Sequence, residues 1–271
     1  MKIRKAVITA AGPDQRHIPL QAVTSDSGQP ETALHVLLSE VISAGVQEIA
    51  VIVAAGDSKA YARAAGALVD QVTFIEQLEP LGYGDAILKA SDFIKGEPFL
   101  LLVSDHLYIS SQESTCVKQL LEAAEKAECA VSAVQATHES KLPLYGAVGG
   151  RKVPQATGLY EVETILEKPS PTLAEQHLTV PGLRAAQYLC FFGMHVLTPQ
   201  FVEELKSSHS VTESLRALAK SERYLAYEVE GRRFNLEESN GLLIAQLALA
   251  LNGTQRDEVL TSLVELLATT R

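Results

Sequence analysis

Four short segments of the chain combine residue types suited to holding phosphates, a flat heterocycle, a hard cation and a polyol. The first is Ala10-Ala11-Gly12-Pro13-Asp14-Gln15-Arg16, a small-residue turn whose backbone N–H groups can approach a phosphate while Arg16 supplies counter-charge. The same residues also make an ordinary Gly-Pro-Asp turn. The second, Gln77-Leu78-Glu79-Pro80-Leu81-Gly82-Tyr83-Gly84-Asp85-Ala86, runs two glycines and a proline into a helical stretch. Backbone can pack against a planar ring there while the Gln77 amide offers hydrogen bonds; otherwise Gly82 and Gly84 serve only turn conformations. The third is Asp105-His106, directly after the apolar run PFLLLVS. A carboxylate at that point either holds Mg²⁺, which prefers oxygen ligands, or caps the following turn. No role is assigned to His106. The fourth is Glu167-Lys168-Pro169, which sets an acceptor for hydroxyls beside a cation for a phosphate, or forms a solvated pair before a turn.

Apolar runs that alternate with amphipathic segments must position these groups. Ile3–Ala10, Glu48–Ala54, Val72–Glu76, Pro98–Val103 and Ala130–Gln135 read as strands. Between them, Thr32–Ala44, Tyr61–Leu68, Gly84–Phe93 and Val117–Ala127 carry helical spacing, the first closed by Gly45. Such alternation predicts βαβ units, hence an α/β fold with a mostly parallel, Rossmann-like sheet flanked by helices. Ligands of such sheets bind beyond the carboxyl ends of the strands, and each of the four segments directly follows a strand-like run. After Tyr145 the pattern changes. Gly146–Arg151 and Gly158–Leu166 read as short strands, 170–185 as Pro-rich and irregular, and Ala186–Leu197 as a further strand. Helices are expected at Pro199–Lys206 and Thr212–Lys220, with strands near Tyr224–Glu228 and Arg233–Leu236. Gly241–Leu251 is apolar almost all round and is expected as a buried helix. Val259, Leu260, Leu263, Val264, Leu266 and Leu267 form a last stripe, expected against the core, with a homo-oligomer surface as the alternative.

Composition narrows the function classes. The chain has 271 residues, with 23 basic against 33 acidic, for a net charge of −10. That field argues against nucleic acid or a membrane surface as partner. No apolar stretch reaches the roughly 20 residues that span a bilayer. Cys116, Cys129 and Cys190 are odd in number and lack metal-ligand spacing, which predicts structural thiols in a reducing cytoplasm.

The order and spacing of the four segments resemble the bacterial sugar-1-phosphate nucleotidyltransferases, most closely UTP–glucose-1-phosphate uridylyltransferases. The likeness runs from Lys5 to about Asn252: KAVITAAG with Arg16, EVISAGVQEIAVIV, EQLEPLGYGDAILKA, PFLLLVSDHL, YGAV and LEKP. The resemblance implies a single nucleotide-diphospho-sugar transferase domain over 1–271. A nucleotide-binding half would cover about 1–140, and a sugar-binding half with a helical C-terminus about 141–271. It also implies transfer from UTP to glucose 1-phosphate, giving UDP-glucose and pyrophosphate, with Mg²⁺ as cofactor. By the same likeness Ala11, Gly12, Gln77, Gly82 and Asp105 hold the nucleotide, with Gln77 and Gly82 on the base and Arg16 on the triphosphate. Gly146 and Glu167 hold the sugar, Lys168 its phosphate, and Asp105 with Asn235 the metal.

Three departures from the family pattern bear on the phosphates. The nucleotide loop lacks its second glycine; Pro13 has no N–H, and Asp14 brings a negative charge. A carboxylate ~5 Å from a phosphate at an effective dielectric of about 20 repels it by roughly 3 kcal/mol. The loop after Arg16, RHIPLQAVTSDSGQP, is short and has no lysine. Asn235 stands where the family has a metal-binding aspartate, with Glu237 two residues on. The implied alternative is a non-catalytic paralogue that binds a nucleotide sugar or sugar phosphate as a sensor or partner subunit.

Overall fold

A computed structural model describes residues 1–269. Strand β1 (Lys5–Ala10) is followed by a small hairpin, β2 (Ala22–Thr24) and β3 (Pro30–Thr32), and then by α1 (Ala33–Ser43). Next come β4 (Glu48–Ala54), α2 (Ser58–Ala65), β5 (Val72–Gln77), α3 (Tyr83–Lys89), the single turn α4 (Ser91–Ile94) and β6 (Phe99–Val103). The middle of the chain forms β7 (His106–Ser110), α5 (Cys116–Ala127), β8 (Ala130–His138), β9 (Gly146–Lys152), β10 (Leu159–Glu167) and α6 (Pro171–His177). It closes with β11 (Gln187–Leu197), α7 (Pro199–Ser208), α8 (Val211–Ser221), β12 (Tyr224–Glu228), β13 (Gly231–Asn235), α9 (Gly241–Asn252) and α10 (Arg256–Thr269).

Nine strands form one sheet in the order β5-β4-β1-β6-β11-β8-β12-β10-β9. All but β10 and β11 run in one direction, so the expected mostly parallel α/β architecture is observed. The period-2 geometry of a strand explains why the central runs are apolar throughout. On β1, Ala6, Ile8 and Ala10 enter the core with α1, α2 and α5, while Val7 enters a second core with α3, α7 and α8. Leu100 and Leu102 of β6 share the first core, Phe99 and Leu101 the second.

Strand β11 joins the two halves. Its end pairs with β6 and its length with β8, but the register breaks between Phe191 and His195. Gly193 sits in that break with φ +91°, a conformation glycine adopts without strain. Before the break, Leu189 and Cys190 also pair with β9, so the β9/β10 ribbon is drawn onto the face of the parallel half.

Several local expectations are overturned. Residues 170–185 are not wholly irregular: Ser170 caps the N–H of Leu173 and Pro171 occupies the first helical position of α6, where its missing donor costs nothing. Helix α9 is not buried all round; only Ala245 and Leu249 are, and Leu243 and Ile244 are about half exposed. Nor does α10 turn its stripe to the core. No residue on it is buried, and Leu260, Val264, Leu266 and Leu267 lie in the open. Its neighbour is α9, itself at the periphery.

Buried His195 on β11 hydrogen-bonds Ser132, which also meets the Tyr224 hydroxyl. Desolvation pushes the imidazole down to about 4. The unfolded chain therefore binds the proton first as pH falls below about 6.5, so this site's contribution is present above that value and is lost as pH falls toward 4. His195→Gln removes the dependence. Between pH 7 and pH 5, urea unfolding should show wild type losing about 2 kcal/mol more stability than the variant. Parallel losses would refute the burial of a neutral imidazole.

Candidate functional site

Side chains from both halves converge on one cleft of about 540 Å³. Ala11, Gly12 and Asp14 line it from the loop after β1, Gln77 and Gly82 from β5 and the turn into α3, and Asp105 from the end of β6. Glu167, Lys168 and Asn235 complete the wall from β10 and β13. The three residues expected on base, metal and sugar phosphate (Gln77, Asp105 and Lys168) thus share a single cavity.

The loop after β1 is held rigidly. The Tyr61 hydroxyl, from α2, donates to the carbonyls of Ala10 at 3.2 Å and Arg16 at 2.8 Å. The N–H groups of Gln15 and Arg16 both donate to the Gly12 carbonyl. Those two donors are therefore spent within the loop, and Pro13 has none. Arg16 itself departs from expectation. It does not line the cleft, and its Nε lies 3.4 Å from Asp57 Oδ2 on the α2 side.

Gln77 is buried, and its amide orientation is set by the fold. Nε2 donates to Asp85 Oδ2 at 2.7 Å and to the Gly82 carbonyl at 3.2 Å. Both amide hydrogens are used, so the group left for a ligand is the acceptor Oε1. Gly82 enters α3 at φ +102°, a backbone that a side chain would strain.

Asp105 is 6% exposed and accepts a hydrogen bond from His106 Nδ1 at 2.8 Å. Burial raises its carboxyl, but the hydrogen bond and charge of His106 outweigh this and hold it below the usual aspartate range. His106, given no role from the sequence, is thus the partner that keeps Asp105 ionised. The register of β7 against β13 sets Asn235 opposite His106, and the Leu236 N–H donates to the Asp105 carbonyl at 2.9 Å. This pairing brings the Glu237 carboxyl into hydrogen-bond contact with that of Asp105. Desolvation raises Glu237, opposed by a hydrogen bond from Gln15 and reinforced by the charge of Asp105. The Asn235 Oδ1 accepts the N–H of Glu237 at 2.9 Å. Asn235, expected as a metal ligand, lines the cleft and also braces the turn that presents Glu237.

The donor set suits a hard divalent cation. Among the described residues no group of three or more His, Cys, Asp or Glu gathers into a cage. Two carboxylates and an amide oxygen on one wall nevertheless match how Mg²⁺ is usually held, with phosphate oxygens and water completing the shell.

Gly146 and Glu167 face each other across β9 and β10, at the level of the break in β11. They line an adjoining cavity of about 390 Å³ that shares Tyr83, His106, Tyr145 and Glu167 with the cleft. A Cβ on Gly146 would stand 2.9 Å from both Glu167 Oε2 and the Phe191 ring, so only glycine leaves that space open. Thr212 Oγ1 donates to Glu167 Oε2 at 3.0 Å. Lys168 sits at φ +44°, its N–H donating to the Tyr145 carbonyl. Because β10 runs against the parallel strands, these groups enter from a ribbon laid across the rim. The rule for carboxyl ends of parallel strands could not have found Gly146, Tyr145 or Thr212.

Comparison with known proteins identifies the family and the fold. The family model described as nucleotidyl transferase matches residues 5–234. A UTP–glucose-1-phosphate uridylyltransferase of Streptococcus pneumoniae is 28% identical, with 98% of this chain and 96% of that protein covered. UTP–glucose-1-phosphate uridylyltransferase 2 of Streptococcus pyogenes is 27% identical over the same shares. Among solved structures, UDP-glucose pyrophosphorylase complexed with UDP-glucose superposes with a TM-score of 0.71 at 22% identity, over 91% of this chain and 98% of that one. The UTP-bound enzyme from Acinetobacter baumannii gives 0.74 at 20%, over 97% and 98%.

The account of Asp105 is open to direct measurement. In His106→Phe the hydrogen bond and the charge are both lost while burial remains, so the Asp105 carboxyl should titrate at higher pH than in wild type. Carbon-13 NMR of the labelled side-chain carboxyls reads this out; an unchanged titration would show that His106 does not control it.

Proposed function

This chain belongs to the nucleotidyl transferase family, and from that premise we propose that it joins UTP to glucose 1-phosphate, forming UDP-glucose and releasing pyrophosphate. The observation that carries the reading is the meeting of Gln77, Asp105 and Lys168, from three separate parts of the sheet, in one cavity.

A phosphate oxygen of glucose 1-phosphate attacks the α-phosphorus of UTP, and the bond to pyrophosphate breaks. Catalysis of this kind is mainly positioning and charge neutralisation. Gln77 Oε1, fixed as an acceptor, suits the N3–H donor of uracil and disfavours cytosine, whose N3 is an acceptor. Ala11 and Gly12 let backbone approach the phosphates. Lys168 holds the sugar phosphate, and Glu167, oriented by Thr212, accepts from sugar hydroxyls in the space that Gly146 keeps open. Asp105, Asn235 and Glu237 would hold Mg²⁺, which when bound would supply neutralising charge beside the UTP phosphates. Three buried free thiols support a reducing, cytoplasmic setting. Among the described residues no helix is long and apolar enough to cross a membrane.

Charge balance makes the cation important. Asp14, Asp105, Glu167 and Glu237 line the cleft against one basic residue of the Lys/Arg type, Lys168. A triphosphate entering without a divalent cation meets net repulsion. The same balance, with Arg16 held by Asp57, favours a second reading in which the cleft binds UDP-glucose, with its smaller charge, as a non-catalytic sensor.

Incubation with UTP, glucose 1-phosphate and Mg²⁺ should yield equal amounts of UDP-glucose and pyrophosphate. Lys168→Ala should lower kcat/KM by at least 100-fold, because a charge-assisted contact to the reacting phosphate is removed. UDP-glucose binding by calorimetry without any pyrophosphate release would instead select the sensor reading. Asp14→Asn should tighten UTP binding by about tenfold, and chelation of Mg²⁺ should weaken it more in wild type than in this variant. Equal affinities in the two proteins would remove Asp14 from the electrostatic account.

A further inference from the structure

Behind Tyr145, on the side away from Gln77 and Lys168, lies a second cavity of about 440 Å³. Lys141, Arg232 and Arg233 line it against one carboxylate, Glu238. In a chain of net charge −10 this is a local reversal of sign, and a concave site concentrates the field of its charges. The cations are only partly matched. Lys141 pairs with Glu238, which also accepts the Tyr145 hydroxyl at 2.7 Å. Arg233 lies 3.5 Å over the Tyr145 ring and donates to the Phe191 carbonyl. Exposed Arg232 lies 5.6 Å from the centre of the Phe234 ring. Two guanidiniums thus rest on π faces, and the one acid in the wall is shared with a lysine and a phenol. Gln187 adds a neutral amide suited to hydroxyl groups.

We propose that this cavity binds a small phosphomonoester, as a site separate from the cleft, and that its occupancy is transmitted to the cleft by Tyr145. Guanidinium forks and an ammonium match the geometry and charge of a phosphate dianion. The cavity has the volume of a small-molecule site and exceeds what a phosphate group alone would fill. The phosphate competes with Glu238 for Lys141, while Arg233 on the Tyr145 ring adds its charge. Release of Glu238 removes the acceptor of the Tyr145 hydroxyl, and the Tyr145 ring and Asn235 line both cavities. A ligand here therefore acts on the wall that presents Glu237 and Gly146, without touching a substrate.

Calorimetric titration of the whole chain at low ionic strength tests the site, with glucose 6-phosphate and inorganic phosphate as separate probes. Glucose 6-phosphate should bind saturably and at least tenfold more tightly than inorganic phosphate. Arg232→Gln, at an exposed position that leaves the core intact, should weaken it at least tenfold, whereas Lys168→Ala in the cleft should leave it unchanged. Hydrogen–deuterium exchange should show altered protection over 141–146 and 232–238 on addition of glucose 6-phosphate, absent in Arg232→Gln. No binding to wild type, or loss with Lys168→Ala but not Arg232→Gln, would overturn the site. Equal affinity for both probes would overturn the phosphomonoester assignment in favour of free phosphate. Binding with unchanged exchange at those segments would overturn the coupling through Tyr145.

Discussion

One strand, β11, is hydrogen-bonded to β6, β8 and β9, and this triple commitment holds the cleft together. A strand has two edges, and β11 gives one of them to β8 and the other first to β9 and then to β6. The break in register falls between Phe191 and His195, with Gly193 taking the left-handed backbone there. A Cβ on Gly193 would stand 3.0 Å from Val103 and 3.1 Å from the Tyr108 hydroxyl, so the position is closed to side chains by space as well as by backbone conformation. Because β9 pairs with β11 as well as with β10, the ribbon closes back against the sheet, and Glu167 and Lys168 line the same cleft as Asp105.

The electrostatics of the cleft follow from what each half brings. The parallel half contributes Asp14 and Asp105, the crossing ribbon adds Glu167 and Lys168, and the turn after β13 adds Glu237. His106 supplies the local compensation that lets Asp105 stay ionised while buried. Glu237, in contact with Asp105, is relieved by a hydrogen bond from Gln15 and by the charge of His106. Asn235 and Glu237 lie together on this wall, with the Asn235 amide accepting the Glu237 N–H.

Much of this was legible in the residues. EIAVIVA is a strand in sequence and in structure, Thr32 and Gly45 bound α1 as their types require, and the segments at Gln77, Asp105 and Glu167-Lys168 stand out by residue type alone. What escaped depended on tertiary context. Arg16 looks free in the sequence, but Asp57 is forty-one positions on and adjacent only in the fold. The prolines near 170 suggested irregular chain because the cue that matters is local: Ser170 directly before Pro171 makes a cap and first turn. A lone histidine is usually an edge residue, and the one signal His106 carries in the sequence is its place directly after a strand-end aspartate. The stripe on α10 has the periodicity of a core helix, and periodicity alone does not say whether a partner surface exists.

The tethering of Gln77 to Asp85 and Gly82 reaches beyond its own hydrogen bonds. An amide able to swivel would greet a donor or an acceptor equally well, and the fidelity of base choice would be set afresh at each encounter. Under the proposed reading that choice is made once, when the chain folds, and is stored in the seating of α3. Loosening that helix by distant substitution would blur discrimination between pyrimidines while the reacting phosphates were still correctly held. Accuracy would then fail before speed.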